Sequence, residues 1–157
     1  MIELQIPGRG AIELDYAVFD VNGTLATDGQ LITGVEPLIA QLRGRLEVRL
    51  LTADTHGRQA EIDRQLAFSA DRLKPGGHER KQKAGYVRAL GAQKVVAIGN
   101  GANDADMLKV AALGIAVIGR EGAAFEALAA ADVVTHGIFD AIELLLTPRR
   151  LIATLRR

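Results

Sequence analysis

Apolar and polar residues change rhythm along the chain. From Ile2 to Leu14 they alternate: Ile2, Leu4 and Ile6 precede the turn Pro7-Gly8-Arg9-Gly10, and Ile12 and Leu14 follow it. Period-two alternation on both sides of a Pro/Gly turn predicts a β-hairpin over residues 1–15. Short continuous apolar runs come next: Tyr16–Phe19, Val48–Leu51, Val95–Ile98 and Ile115–Ile118. Such runs suit strands buried on both faces. Between them, helical spacing of apolar residues predicts helices over Val35–Leu42, Gly57–Leu66, Arg80–Leu90, Asp104–Ala112 and Ala123–Ala130. A weak strand, Asp132–Thr135, precedes two further helices, Ile138–Leu146 and Pro148–Leu155. Strands alternating with helices build right-handed βαβ units and a mainly parallel sheet. The pattern therefore predicts an α/β fold, a Rossmann-like doubly wound sheet with helices on both faces. One domain is expected over residues 1–157: hairpin 1–15, core 16–135 and C-terminal helices 136–157.

Composition narrows the class further. Hydrophobic residues make up 48 % and charged residues 24 %, which excludes disorder. Aromatics are 4 % with no Trp, so the core must be aliphatic. Nineteen basic residues balance nineteen acidic ones, giving no field that recruits nucleic acid or an anionic membrane. The absence of cysteine excludes disulfides and thiolate metal sites. The start, MIELQIPGRG, is not built like a signal peptide, and the longest apolar stretch, Val110–Gly119, is too short to cross a bilayer. A cytoplasmic protein without membrane or nucleic-acid partners is expected.

In open parallel sheets, ligands gather beyond the carboxyl ends of the strands. Three strand ends carry small polar and acidic residues: Asp20-Val-Asn-Gly-Thr24, Thr52-Ala-Asp54 and Gly99-Asn-Gly-Ala-Asn-Asp104. Asp20 alone could simply cap or turn the chain. Thr52 can offer its hydroxyl and neighbouring backbone amides, that of Ala53 among them, to phosphate oxygens. Lys83, at the head of a helix, can neutralise Asp20 and a transferred phosphoryl group, with Lys81 as the local competitor. Asn100, Asn103 and Asp104 form an oxygen-rich cluster that suits Mg²⁺; helix capping by Asn103 or Asp104 is the other reading, and the two are compatible.

These motifs resemble the haloacid dehalogenase superfamily. FDVNGTL resembles motif I, LLT ending at Thr52 motif II, Lys83 motif III, and GNGANDADMLKVAALGIAV motif IV. The last, with Thr52-Ala-Asp54, is most similar to the phosphorylation domain of P-type ATPases. The resemblance spans about Ala17 to Ala131 in the family's order. It implies that Asp20 attacks a phosphoryl group, forming an aspartyl-phosphate that water hydrolyses. It also implies Mg²⁺ on Asp20, the Asn22 carbonyl and Asn100 or Asp104, and phosphoryl binding by Thr52, Lys83, Gly23, Ala53 and Asn103.

Two positions depart from the family. Asn22 stands where its phosphatases carry the general acid–base Asp, and Asn100 where they carry a direct metal ligand. Slow turnover and weak Mg²⁺ binding follow; a catalytically silent phosphate-binding module is the alternative reading. A receiver domain is disfavoured, because its acidic pair precedes the phosphorylated Asp. Asn22-Gly23 and Asn100-Gly101 are also deamidation-prone pairs. Only 31 residues lie between Asp20 and Thr52 and 30 between Thr52 and Lys83, leaving no space for a cap or a pump's nucleotide-binding domain. An uncapped site is expected to favour a large phosphorylated substrate or shielding by another subunit, as a homo-oligomeric dimer or tetramer. His56, His78 and His136 are expected on the surface, Asp28 and Asp54 in turns, and the arginines from Arg149 to Arg157 on the polar face of the last helix.

Overall fold

The alternating start forms the expected hairpin in a computed structural model that describes residues 1–157: β1 (Ile2–Ile6) pairs antiparallel with β2 (Gly10–Leu14). Ile2, Leu4, Ile6 and Leu14 turn inward and join the larger of two aliphatic cores. The next run is β3 (Tyr16–Asp20), followed by a small antiparallel ribbon of β4 (Ala26–Thr27) and β5 (Gln30–Leu31) that the apolar pattern did not signal. Helix α1 (Val35–Arg43) buries Val35, Ile39 and Leu42, one stripe at helical spacing, with Pro37 tolerated in its first turn. The chain continues through β6 (Glu47–Thr52), α2 (Gln59–Leu66), β7 (Asp71–Arg72) and α3 (Glu79–Ala89). Then come β8 (Val95–Gly99), α4 (Ala105–Val110), β9 (Leu113–Val117), α5 (Phe125–Ala130), β10 (Val133–Thr135), α6 (Ile138–Leu146) and α7 (Pro148–Leu155).

Six strands form one parallel sheet in the order β10-β9-β8-β3-β6-β7. Every residue of β8 and β9 is buried, the signature of a sheet covered on both faces. Phe19, Leu50, Ile98 and Val117 face the core beneath α1, α6, α7 and the hairpin; Val18, Leu51, Ala97 and Ala116 face α3, α4 and α5. The fold class is therefore as predicted. No helix is long and apolar enough to cross a membrane.

β3 lies at the middle of the sheet, with β6 on one side and β8 on the other. The register sets Asp20 beside Leu51 and Phe19 beside Ile98. Chain order thus reverses on either side of β3, the switch point at which such sheets open a crevice at their carboxyl ends. Asp20 is the last residue of that strand.

Candidate active site

Asp20 leaves β3 into a turn in which Gly23 N–H donates to the Ala26 carbonyl (2.7 Å), while Leu25 and Ala26 donate to the Val21 carbonyl. Gly23 has φ of +83°, and a Cβ there would sit 2.5 Å from Asn100 Nδ2. Only glycine combines that backbone with so close an approach. The turn brings the Asp20 carboxylate against the helix α3 side chains. Lys83 Nζ donates to Asp20 Oδ1 and to Asp104 Oδ1, both at 2.7 Å, and lies 3.5 Å from Asn103 Oδ1. Lys83 is 1 % exposed and shares the buried stripe of Ala84 and Val87, whereas Lys81 is exposed. The competition between the two lysines is decided in favour of Lys83.

One cation sits between two buried carboxylates, so the cluster keeps a net negative charge. Burial above all, then repulsion from Asp104, pushes the Asp20 carboxyl up to about 7, against the opposing pull of Lys83 and the Thr24 hydroxyl. For Lys83, burial alone favours the neutral amine, but Asp20 and Asp104 outweigh it and hold the ammonium charged well above its ordinary range.

Asp104 has a different place from the one expected of it. It is fully buried; Oδ1 takes the Lys83 ammonium, and Oδ2 accepts the backbone N–H groups of Asn100 (3.0 Å) and Gly101 (2.9 Å). A Cβ on Gly99 would fall 2.6 Å from the same carboxylate, so the strand end is closed around it. With both oxygens engaged, Asp104 anchors Lys83 and the loop. Thr52 also differs from expectation. It is buried beneath Asn22, its hydroxyl accepting Asp54 N–H (2.9 Å) and lying 3.5 Å from Asn22 Nδ2, so it does not line the cavity.

The cavity itself holds about 260 Å³. Asp20, Asn22, Gly23, Ala53, Lys83, Asn100 and Asn103 all border it, so the three predicted strand ends do converge. Thr55, Glu79 and Glu121 border it too and were not foreseen. Glu79 is tied to Asn103 Nδ2 at 2.7 Å, and Thr55 lies 3.3 Å from Asn22 Nδ2. For Glu79 and Thr55 a signal existed, since both sit at helix or loop starts beside motif residues; for Glu121 there was none. His56, His78 and His136 are exposed, as expected. Asp28 and Asp54 adopt positive φ in turns, and Asp54 accepts Gln59 N–H at the start of α2.

The two asparagines are held as amides. Asn100 Nδ2 donates to the Gly122 carbonyl (3.3 Å), a bond a carboxylate cannot make, and Ala124 N–H donates to the Asn100 carbonyl (2.8 Å). Residue 100 therefore latches the loop that carries Glu121. Deamidation requires the following amide nitrogen to attack the side chain, and both are engaged: Gly23 with Ala26, Gly101 with Asp104.

The donor set fits a divalent magnesium ion, with reduced charge. Asp20 Oδ2 and Asn100 Oδ1 converge on the Thr24 hydroxyl, at 3.2 and 3.4 Å, where one proton serves two acceptors. The turn's backbone bonds use the carbonyls of Val21 and Ala26 and leave that of Asn22 unused. One carboxylate, one amide oxygen and one carbonyl, completed by water, are hard oxygen ligands of the kind Mg²⁺ takes. No cluster of three or more His, Asp or Glu side chains able to hold a metal exists in the fold.

Known proteins share this fold. A family model described as haloacid dehalogenase-like hydrolase matches residues 87–138. An uncharacterised protein of Methanocaldococcus jannaschii is 52 % identical over 64 residues, covering 41 % of this chain and 69 % of that protein. The 3-deoxy-D-manno-octulosonate 8-phosphate phosphatase of Moraxella catarrhalis, solved with magnesium, phosphate and a KDO molecule, has a TM-score of 0.65 at 20 % identity, over 91 % of this chain and 94 % of that one. A zinc-transporting PIB-type ATPase in its E2·Pi state has a TM-score of 0.59 at 27 % identity, over 79 % of this chain and 21 % of that one. Parallel sheet, strand-end cluster and family model define the class together. The chain belongs to the haloacid dehalogenase-like hydrolases.

Proposed function

We propose that the protein is a Mg²⁺-dependent phosphohydrolase or phosphotransferase that works through an aspartyl-phosphate on Asp20, and that it turns over slowly. The observation that carries this reading is the Asp20 carboxylate, at the end of the central strand on the wall of a cavity, with the Lys83 ammonium 2.7 Å away. A carboxylate oxygen attacks phosphorus, the bond from phosphorus to the leaving oxygen breaks, and Lys83 stays beside the transferred charge. Asp20, Asn100 and the Asn22 carbonyl would hold a Mg²⁺ ion, whose positive charge would keep Asp20 ionised and offset the phosphoryl oxygens. Asn103 and the backbone of Gly23 and Ala53 border the space for those oxygens.

Both proton transfers lack their usual partner. The leaving oxygen needs a proton, and the water that later cleaves the phosphoenzyme must lose one. The Asn22 amide can orient either group but can neither give nor take a proton at neutral pH. General acid–base help of roughly 10²–10⁴-fold is therefore missing.

Hydrolysis of an aryl phosphate with Mg²⁺ tests the reading. Low wild-type activity should vanish in Asp20→Asn and rise by at least about tenfold in Asn22→Asp. Wild-type activity equal to that of Asp20→Asn, with no trapping of beryllium fluoride, would instead support a silent phosphate-binding module.

A further inference from the structure

Strand β6 is left half uncovered on its outer side. β7 pairs with it only at Leu51 and Thr52, so no strand lies beside Glu47–Leu50 there. Glu47 N–H donates toward β3, to the Asp15 carbonyl (2.9 Å), whereas Leu73 N–H reaches the Thr52 carbonyl (2.8 Å) from the outer side. Main-chain groups alternate sides along a strand, so those of Val48 and Leu50 point outward, as those of Thr52 do. The N–H and C=O of Val48 and the N–H of Leu50 find no backbone partner on that side. The chain leading into β7 turns away instead, Ala70 N–H donating to the Asp63 carboxylate (3.0 Å).

This edge opens into a groove of about 580 Å³ bordered by residues 43–49, Phe68 and Ser69. Because β6 runs parallel to β3, with Glu47 beside Tyr16, the groove lies at the opposite end of the sheet from Asp20. Its charge is one-sided, with Arg43, Arg45 and Arg49 against Glu47. Glu47 pairs with Arg49. Arg45 donates to a neutral acceptor, the Leu146 carbonyl (3.2 Å), and the Arg43 guanidinium lies 4.2 Å from the centre of the Phe68 ring, so neither of these charges meets an acid. Open strand edges are usually covered or blunted. Here the covering strand stops short and the excess charge is positive, which works against pairing between two copies of the same edge.

We propose that the β6 edge docks an extended acidic segment of a partner protein, which adds as a strand beside Val48 and Leu50. Main-chain bonds would hold the segment, its carboxylates would meet Arg43 and Arg45, and an aliphatic side chain would rest on the half-buried Phe68. The docking is independent of the chemistry at Asp20.

A capped heptapeptide alternating glutamate and valine, added to the full chain and followed by amide hydrogen exchange, tests this. At saturation the Val48 and Leu50 amides should exchange at least about tenfold more slowly. Methylating every backbone nitrogen of the peptide should weaken binding at least about tenfold, as should the exposed double substitution Arg43→Glu with Arg45→Glu. Tripolyphosphate should leave both amides unchanged. Absence of peptide binding overturns the proposal. So does binding that spares those two amides or survives N-methylation, since charge alone would then hold the peptide. Equal protection of the amides by tripolyphosphate would make the groove an anion site and overturn it too.

Discussion

Replacing Asp20 by asparagine should stabilise the fold at alkaline pH. Asp20 and Asp104 share the single Lys83 ammonium, both at 2.7 Å, in a cluster almost wholly out of solvent. Burial, reinforced by Asp104, moves the Asp20 carboxyl from 3.8 to about 7. Because the folded protein holds this proton more tightly than the unfolded chain, the resulting stabilisation is fully present below about pH 4 and is lost as pH rises through about 7. A displacement of about three pH units corresponds to a loss of about 4 kcal/mol across that window. Asparagine carries no charge to desolvate, can still accept from Lys83, and leaves Lys83 and Asp104 as a neutral pair. The unfolding free energy of Asp20→Asn minus that of wild type should therefore rise with pH. It should gain up to about 4 kcal/mol between about pH 4 and pH 8, equivalent to a Tm difference on the order of 10 °C. Urea unfolding of both proteins in chelator, at closely spaced pH values, measures this. A difference that stays flat or falls as pH rises refutes the reasoning.

Two further substitutions probe the same cluster. Lys83→Met removes the only cation between two buried carboxylates and should cost about 3–5 kcal/mol at neutral pH, with a smaller loss in acid, as urea unfolding would show. Asn100→Asp adds a carboxylate beside Asp20 and should tighten Mg²⁺ binding in a titration, but it gives up the donor to the Gly122 carbonyl. Backbone amides of residues 119–123 should then exchange hydrogen faster without metal; unchanged exchange would show that Asn100 is no latch.

The sheet was legible because its strands are buried on both faces: the runs at Tyr16, Val48 and Val95 needed no partner to declare themselves. Helix α3 was legible too, and its register could have singled out Lys83, which shares a stripe with Ala84 and Val87. The ribbon of β4 and β5 was not legible, since two-residue strands have no periodicity to read. Asp104 shows a different limit. Nothing in the loop's sequence tells where the acid's two oxygens go, one to Lys83 and the other to two backbone amides. The bond from the Asp54 N–H to the Thr52 hydroxyl was hidden for a similar reason, being set by the local turn. The place of Glu121 on the cavity depends on how distant loops meet, over Gly23 and Gly119, and no local pattern encodes that meeting.

Trapping the phosphoenzyme tests the central claim most directly. Wild-type protein incubated with acetyl phosphate and Mg²⁺, quenched in acid and measured by intact mass, should gain one phosphoryl group. Borohydride reduction and peptide mapping should place it on Asp20, and Asn22→Asp should hold less of it at steady state because it releases the group faster. No gain in mass, or a label on a residue other than Asp20, would contradict the account.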